Sequence, residues 1–475
     1  MNLDILFINL PSSFSAFEAT RLEVYKQAYP SLSFMCLAAF VKQAGYSAAV
    51  LDLGIEKNPY DLLRKKLKEL KPRYLGITST TPLFGEAVQI SRIGREILGK
   101  ETIIICGGAH VSALPQESLA DSEINIVIVG EGEETLLEIM QGKKLSEING
   151  IFYKENERIL STPPRQFIED LDSLPFPDFS IYDLKKYHCS KLVSRYSPVL
   201  QIETSRGCPN NCSFCSKSVF ERKFRTKSAG RVVQEMKYFI KNGAKELRII
   251  DDQFAADIER AKEICRLLIK EKVKIPWCLP NGIRVDRVDQ EFLDLAKEAG
   301  CYQVSIGFES GDQNSLNSIN KGITLEQGAK CMAMVKKAGL ESIGFFVLGL
   351  PADTEESMEK TIDFAVKMMP TYVKSSAMCP YPGSRIFEQY EREGRIKTRD
   401  WSKYNRHKVG DVYEHPYLSL QVLRKYQDLF YRRFYLNPRF VWMRLMKSLK
   451  EHTFWRDVYY GARTFLPDFF SLHQQ

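Results

Sequence analysis

Gln201-Ile-Glu-Thr-Ser-Arg-Gly-Cys208-Pro-Asn-Asn-Cys212-Ser-Phe-Cys215-Ser-Lys-Ser-Val-Phe220 sets three thiols at the spacing C-x3-C-x2-C. The run from Pro198 to Thr204 that leads into them is apolar with strand character, and Gly207, Pro209 and Asn210 then bend the chain sharply. The pattern predicts a metal-binding loop at the carboxyl end of a strand.

Three sulfurs on the eight residues from Cys208 to Cys215 can converge on one face of an iron-sulfur cubane, because so short a loop cannot hold its cysteines far apart. A cubane has four irons, so one iron is left open to another ligand. Zinc is the competing reading and wants a closed tetrahedral site, for which His188 and Cys189 are the upstream candidates. Structural zinc sites usually bring ligands in two close pairs, whereas here one triplet stands alone. The remaining reading is three unligated cysteines in a polar loop.

Glu203 through Cys215 resembles the cluster motif of radical S-adenosylmethionine enzymes. The resemblance implies a 4Fe-4S cluster whose open iron chelates the amino and carboxylate groups of S-adenosylmethionine. One electron, from a donor such as flavodoxin or ferredoxin, then cleaves the sulfonium to a 5'-deoxyadenosyl radical. It also implies that Phe214 sits against the adenine.

With 475 residues the chain is too long for one ordinary core and predicts two or three domains. Its 44% hydrophobic and 27% charged residues are those of a globular protein. Eleven cysteines without a pairing pattern argue for a reducing, cytoplasmic setting. No segment reaches 18 uncharged apolar residues, and Met1 to Leu10, with Asp4, reads as a first strand rather than a signal peptide.

From about 1 to 150, strand patterns (Leu3 to Ile8, Ala48 to Leu53, Tyr74 to Thr78, Thr102 to Cys106, Asn125 to Val129) alternate with helical ones (Ser33 to Ala44, Tyr60 to Leu70, Phe84 to Leu98). This predicts an open parallel sheet, Rossmann-like, which binds ligands at the carboxyl ends of its strands. Those ends carry Ser79-Thr80-Thr81, Gly107-Gly108-Ala109-His110 and Gly130-Glu131-Gly132-Glu133. Any one glycine there is explained by the need to turn the chain. Together the three loops resemble the cobalamin-binding domain that precedes the radical domain in one branch of the family. The resemblance implies that Ser79, Thr80, Gly107, Gly108, Gly130, Glu131 and Gly132 line the cobalamin. One departure stands out: many such domains carry a D-x-H-x-x-G histidine after the first strand, and here Asn9-Leu-Pro-Ser-Ser13 occupies that place. Bound cobalamin would then have its own base displaced and no histidine in its place. His110 reads as a hydrogen-bonding residue.

Residues 151–195 read as a hairpin, Ile151 to Leu160, and a connector with Pro163, Pro164, Pro175 and Pro177. From 196 to 395, strands at Glu246 to Ile250, Pro276 to Leu279, Gln303 to Ile306, Ser342 to Leu348 and Tyr372 to Ala377 join the cysteine-bearing one, as in a partial (β/α)6 barrel. The resemblance implies that Glu309 and Arg284 meet the ribose hydroxyls and carboxylate of S-adenosylmethionine, with Gly349 to Pro351 near the adenine. Arg284 has a rival reading, an ion pair with Asp286 or Asp289. Cys265, Cys278, Cys301 and Cys331 read as packed apolar residues, and Cys379 could face substrate.

The mainly helical segment 396–475 concentrates charge: from Gln421 to Arg463 there are ten Arg or Lys against three acidic residues, while the whole chain is +8. Its aromatics fit a helical lid on the barrel; the mixture of arginines and aromatics also fits the inner face of a membrane. The resemblance implies a cobalamin-dependent methyltransferase acting on an unactivated carbon of a small-molecule or lipid-like substrate. Radical cyclisation or oxidation is the rival of the same fold. A basic nucleic-acid-modifying protein and a non-catalytic iron-sulfur module are the alternatives from other classes.

Overall fold

Five short β-branched runs with helices between them can bury both faces only as a parallel sheet covered on each side. In the computed structural model, which describes residues 3–11, 29–189, 194–405, 410–450, 452–455 and 457–459, they do so. Strands β1 (Ile5–Asn9), β2 (Ala48–Asp52), β3 (Tyr74–Thr78), β4 (Ile103–Gly107) and β5 (Ile126–Ile128) are parallel in the order β2-β1-β3-β4-β5. The order reverses between β1 and β3, which is where open sheets of this kind leave a ligand crevice at their carboxyl ends. The predicted hairpin forms as β6 (Ile151–Glu155) and β7 (Arg158–Ser161) and extends this sheet antiparallel from β5.

The second sheet has six parallel strands: β8 (Val199–Ile202), β11 (Glu246–Ile249), β12 (Trp277–Ile283), β13 (Cys301–Glu309), β14 (Glu341–Leu348) and β15 (Tyr372–Ala377). Each pairs with its successor, while β8 and β15 do not meet, so the barrel is partial. Between β8 and β11 lie the short antiparallel strands β9 (Ser205–Arg206) and β10 (Arg225–Thr226), which bracket the cysteine loop. β12 and β13 run further than their apolar patterns predict. Each has a register shift, at Leu279/Ile283 and Gly307/Glu309 respectively, so irregular pairing carries them on into the site.

The open flank at β15 is closed by the helix Leu420–Tyr435. Tyr431 Oη accepts from the Ser375 N–H and donates to the Ser375 carbonyl, and Tyr435 does the same at Val373. Four residues of helix advance about 6 Å and two of strand about 6.6 Å, so hydroxyls at i and i+4 reach edge groups at i and i+2. A sheet edge that would otherwise expose its backbone is thereby satisfied. Phe430, Phe434 and Phe440 are buried beneath it. That much of the C-terminal aromatic content is lid, as its helical pattern predicts. Its arginines are less free than predicted: Arg433 pairs with Glu359 and Asp363, and Arg444 with Asp457. Tyr460 and Arg463 lie outside the described residues.

The two sheets share an apolar interface. One buried cluster runs from Leu10, Ile77 and Phe84 of the first sheet to Val347, Leu350 and Met378 of the barrel, and on to Trp401, Tyr404 and Tyr413 after it. The carboxyl ends of both sheets therefore face a common region.

Candidate active site

The cysteine loop is fixed at both ends. Asp251, after β11, accepts from the Thr204 N–H at 2.6 Å and from the hydroxyls of Thr204 and Ser205 at 2.5 and 2.6 Å, which holds the chain as it leaves β8. Gly207 sits at φ +81°, and a Cβ there would lie 2.3 Å from the Lys223 carbonyl oxygen, so only glycine makes this turn. Lys217 folds back to donate to the carbonyls of Cys208, at 3.0 Å, and Asn210.

Cys208 and Cys212 are half-buried and Cys215 is exposed; all three are free. Among the described residues no three His, Cys, Asp or Glu side chains converge closely enough to hold a single metal ion. His188 and Cys189 thus do not complete a zinc site with the loop, whereas a cubane edge spreads its ligands wider than one ion does. Desolvation, then the neighbouring Cys212 and Asp252, push the Cys215 thiol up to about 11. A bound cation would relieve that crowding of negative groups. The donor set fits a cluster.

Around the loop stand charged groups from two other strand ends and one turn. Arg284, after β12, makes a two-point ion pair with Asp286 at 2.9 and 3.1 Å, the alternative named for it above, while its Nη1 remains 3.9 Å from Cys212 Sγ. Glu309 ends β13 at φ +64°, a left-handed conformation uncommon for a non-glycine residue at the end of a strand. Its carboxylate pairs with Lys321 at 2.5 Å, both being buried. Burial disfavours the Lys321 ammonium, but Glu309 and then Cys212 outweigh it and hold the amine above its ordinary range. Lys321 escapes sequence reading because an Asn-Lys-Gly turn gives no sign that it folds back on a strand end twelve residues earlier.

Gly307 is what makes room for this pair. A Cβ there would stand 2.7 Å from Glu309 Oε1 and 3.1 Å from Lys321 Nζ. Gly307→Ala is therefore expected to displace the pair, costing about 1–3 kcal/mol of stability as an overpacked site does. Weaker S-adenosylmethionine binding should accompany it. Denaturation of the apoprotein and titration calorimetry check both, and an unchanged variant would show that the pair tolerates movement.

Phe214 and Tyr381 pack half-buried on the interface cluster. The Gly349 to Pro351 turn is held from below, since Asp353 accepts from the Gly349 and Leu350 N–H groups at 2.9 Å each. From above, His415 Nε2 donates to the Leu350 carbonyl at 3.0 Å, while its Nδ1 accepts from the N–H groups of Tyr417 and Leu418. Cys265, Cys301 and Cys331 are buried among apolar neighbours and Cys379 in the interface cluster, whereas Cys278, though buried, lies beside Arg248, Glu246 and Tyr302 rather than in the apolar packing expected of it.

The loops of the first sheet face the cysteine loop. Ser218 Oγ donates to the Ala109 carbonyl at 2.9 Å, and a Cβ on Gly130 would lie 3.5 Å from the Val219 carbonyl oxygen. Gly107 opens on free space, with nothing within 4 Å of a Cβ built there, and Gly108 at φ +108° leans on Ser79. Ser79 is buried with its hydroxyl on the Thr80 carbonyl, and Thr80 is exposed. This cradle, open at Gly107 and next to the strand-order reversal, fits a large planar cofactor.

One expectation for this region is narrowed and another holds. Glu131 offers no free carboxylate to a ligand. It is buried, paired with Arg206 at 2.6 Å and Arg225 at 2.9 Å, and it also accepts from the Ile168 N–H. Arg206 also holds Glu133 at 2.6 Å and Glu203 at 2.7 Å, so one guanidinium two residues before Cys208 ties the barrel to the first sheet. What remains for a ligand in the Gly130 to Gly132 loop is its backbone. His110, as its sequence reading expects, is hydrogen-bonded: it is buried, its Nδ1 lies 3.3 Å from Thr81 Oγ1, and its ring is tilted against Phe84 and edge-on to Trp401. Burial pushes it down to about 4, so it stays neutral. Asn9 donates to Asp52 at 2.8 Å; Ser12 and Ser13 of the loop that lacks a histidine lie outside the described residues.

Comparison with known proteins agrees with this division. Residues 202–365 match the Radical SAM superfamily and residues 20–140 the B12 binding domain. An uncharacterized methyltransferase of Pyrococcus horikoshii is 31% identical over 430 residues, 89% of this chain and 90% of that one. The anaerobic magnesium-protoporphyrin IX monomethyl ester cyclase of Rubrivivax gelatinosus is 29% identical over 85% of this chain and 73% of its own. Among solved structures, the radical S-adenosylmethionine methyltransferase TsrM from Kitasatospora setae, with cobalamin and a 4Fe-4S cluster bound, shares the fold with a TM-score of 0.73 at 17% identity. That match covers 90% of this chain and 91% of that one. The chain belongs to the radical S-adenosylmethionine enzymes, in the branch that carries a B12-binding domain ahead of the radical domain.

Proposed function

We propose that this enzyme methylates an unactivated carbon of a small-molecule substrate, with S-adenosylmethionine as the source of both the methyl group and the radical. The observation that carries the reading is the direct apposition of the cysteine loop and the first-sheet loops, through Ser218 and Ala109 and through Arg206 with Glu131 and Glu133. A 4Fe-4S cluster supplies reductive cleavage of S-adenosylmethionine, and cobalamin supplies a methyl carrier. Cys208, Cys212 and Cys215 hold the first. The loops at Ser79–Thr80, Gly107–Gly108 and Gly130–Gly132 hold the second.

The chain's own residues have separate tasks in this scheme. Arg284 turns Nη1 toward Cys212 while Asp286 fixes its plane, which suits a guanidinium waiting for a carboxylate. Lys321 holds Glu309 in place, and Glu309 presents its second oxygen to ribose hydroxyls. Asp353 shapes the Gly349 to Pro351 turn against the adenine. The reductant is a one-electron donor such as flavodoxin or ferredoxin.

The test uses methyl-labelled S-adenosylmethionine with candidate substrates. Label is expected in the product, with S-adenosylhomocysteine and 5'-deoxyadenosine formed together. Product formed with 5'-deoxyadenosine alone would favour the cyclase reading that the Rubrivivax relative's name carries.

A further inference from the structure

The last long helix, Pro438–Lys450, buries Phe440 and Ser448 and turns a different face outward. Val441, Trp442, Met446 and Leu449 are 51, 64, 50 and 53% exposed. At 100° per residue these four lie within an arc of about 140°, a continuous apolar stripe rather than scattered surface residues. Leu436 before the helix (56%) and Trp455 after it (80%) are further exposed large apolar side chains on the same segment. Proteins seldom leave so many large apolar side chains together in water without a partner for them.

The charge beside the stripe says what the partner is. Arg439 and Lys450 occupy the next positions round the helix and are exposed, as is Arg432 on the preceding helix. None of the three makes an ion pair within the described residues. The sequence that follows, 451–475, contains Phe465, Leu466, Phe469 and Phe470 and three acidic residues, Glu451, Asp457 and Asp468, against Arg456 and Arg463. Asp457 is taken by Arg444, and the two arginines balance the other two, so this stretch brings no net negative charge to match these cations. No described helix is long and apolar enough to cross a membrane. Tryptophans on an apolar stripe with cations along its margin match the boundary between lipid headgroups and acyl chains.

We propose that the helix Pro438–Lys450 is a docking surface for an anionic phospholipid membrane, which it enters in plane through Trp442, Met446 and Leu449. Docking there leaves the carboxyl ends of the barrel strands untouched, so it localises the enzyme without taking part in its chemistry.

The full chain is sedimented with vesicles of phosphatidylglycerol and phosphatidylcholine, and with phosphatidylcholine alone, at low and high salt. It should pellet with the anionic vesicles at low salt, release as salt rises, and shift its tryptophan emission to shorter wavelength. Trp442→Asp with Leu449→Asp should abolish pelleting while the melting temperature and S-adenosylmethionine cleavage stay unchanged. Arg432→Gln, Arg439→Gln and Lys450→Gln together should lower partitioning on the order of a hundredfold, since each cation contributes roughly a factor of five near an anionic surface. Equal binding to neutral vesicles, or none to anionic ones, would overturn the proposal. So would a dimer that the Asp pair dissolves, which would assign the stripe to a second copy. Binding that appears only after Phe469→Asp and Phe470→Asp would assign it to the chain's own last residues.

Discussion

Replacing any one of Cys208, Cys212 and Cys215 with alanine is expected to take the protein from about four irons per chain, after anaerobic reconstitution, to almost none. All formation of 5'-deoxyadenosine should go with the iron. The loop has no redundancy to offer, because Cys265, Cys301 and Cys331 are buried in the barrel core and Cys106 and Cys379 in the interface cluster. Asp251, Lys217 and Gly207 fix the backbone on which the three thiols stand. Cys331→Ala and Cys265→Ala, which remove thiols from apolar packing, should keep their iron and so serve as controls. The measurement is iron and sulfide content with the visible absorption of the cluster. A colourless, zinc-loaded wild-type protein would contradict the cubane.

Period and spacing were enough to read the elements that stand on local sequence. The strands Tyr74–Thr78 and Tyr372–Ala377 and the helix Phe84–Leu98 lie where their hydrophobic patterns put them, since each buries a regular face against its neighbours. The cysteine triplet was legible because its spacing is itself the geometry. What stayed hidden depends on contacts far apart in the chain. Glu131 and Arg206 are 75 residues apart, and nothing near either shows that a glutamate in a glycine-rich loop will be taken up by an arginine of the other domain. The tyrosines of the C-terminal helix looked like membrane or lid aromatics, but their hydroxyl spacing serves the edge of β15. Extension of β13 to Glu309 was invisible because it rests on a register shift rather than on alternation.

The buried ion cluster at Arg206 gives the second large effect. Arg206 is 5% exposed and meets three carboxylates, those of Glu131, Glu133 and Glu203. Arg206→Met removes one partner and strands the rest, a change that costs about 3–5 kcal/mol when the site is buried. Glu131 keeps Arg225, whereas Glu133 is left without an ion-pair partner among the described residues. In the wild type, burial alone would raise the Glu133 carboxyl, but Arg206 outweighs burial and holds it below its ordinary range. A depressed carboxyl contributes stability above its unfolded value, near 4.5, and that contribution is lost as pH falls through the folded value. The wild type should therefore weaken below about pH 4.5. In Arg206→Met burial, the largest single influence, is opposed only by the backbone N–H groups of Gly132 and Glu133, so the folded value of Glu133 is expected to rise above the unfolded one and the sign to reverse. Relative to the wild type, the variant should then regain stability as pH falls from 7 toward about 5; buried, neutral His110 weakens both proteins alike over that range. Urea midpoints of both proteins at pH 5, 6, 7 and 8 decide it: the gap between them should be widest at pH 8 and narrow steadily toward pH 5. A gap that does not change with pH would mean that Arg206 acts by packing against Phe220 rather than by its charge.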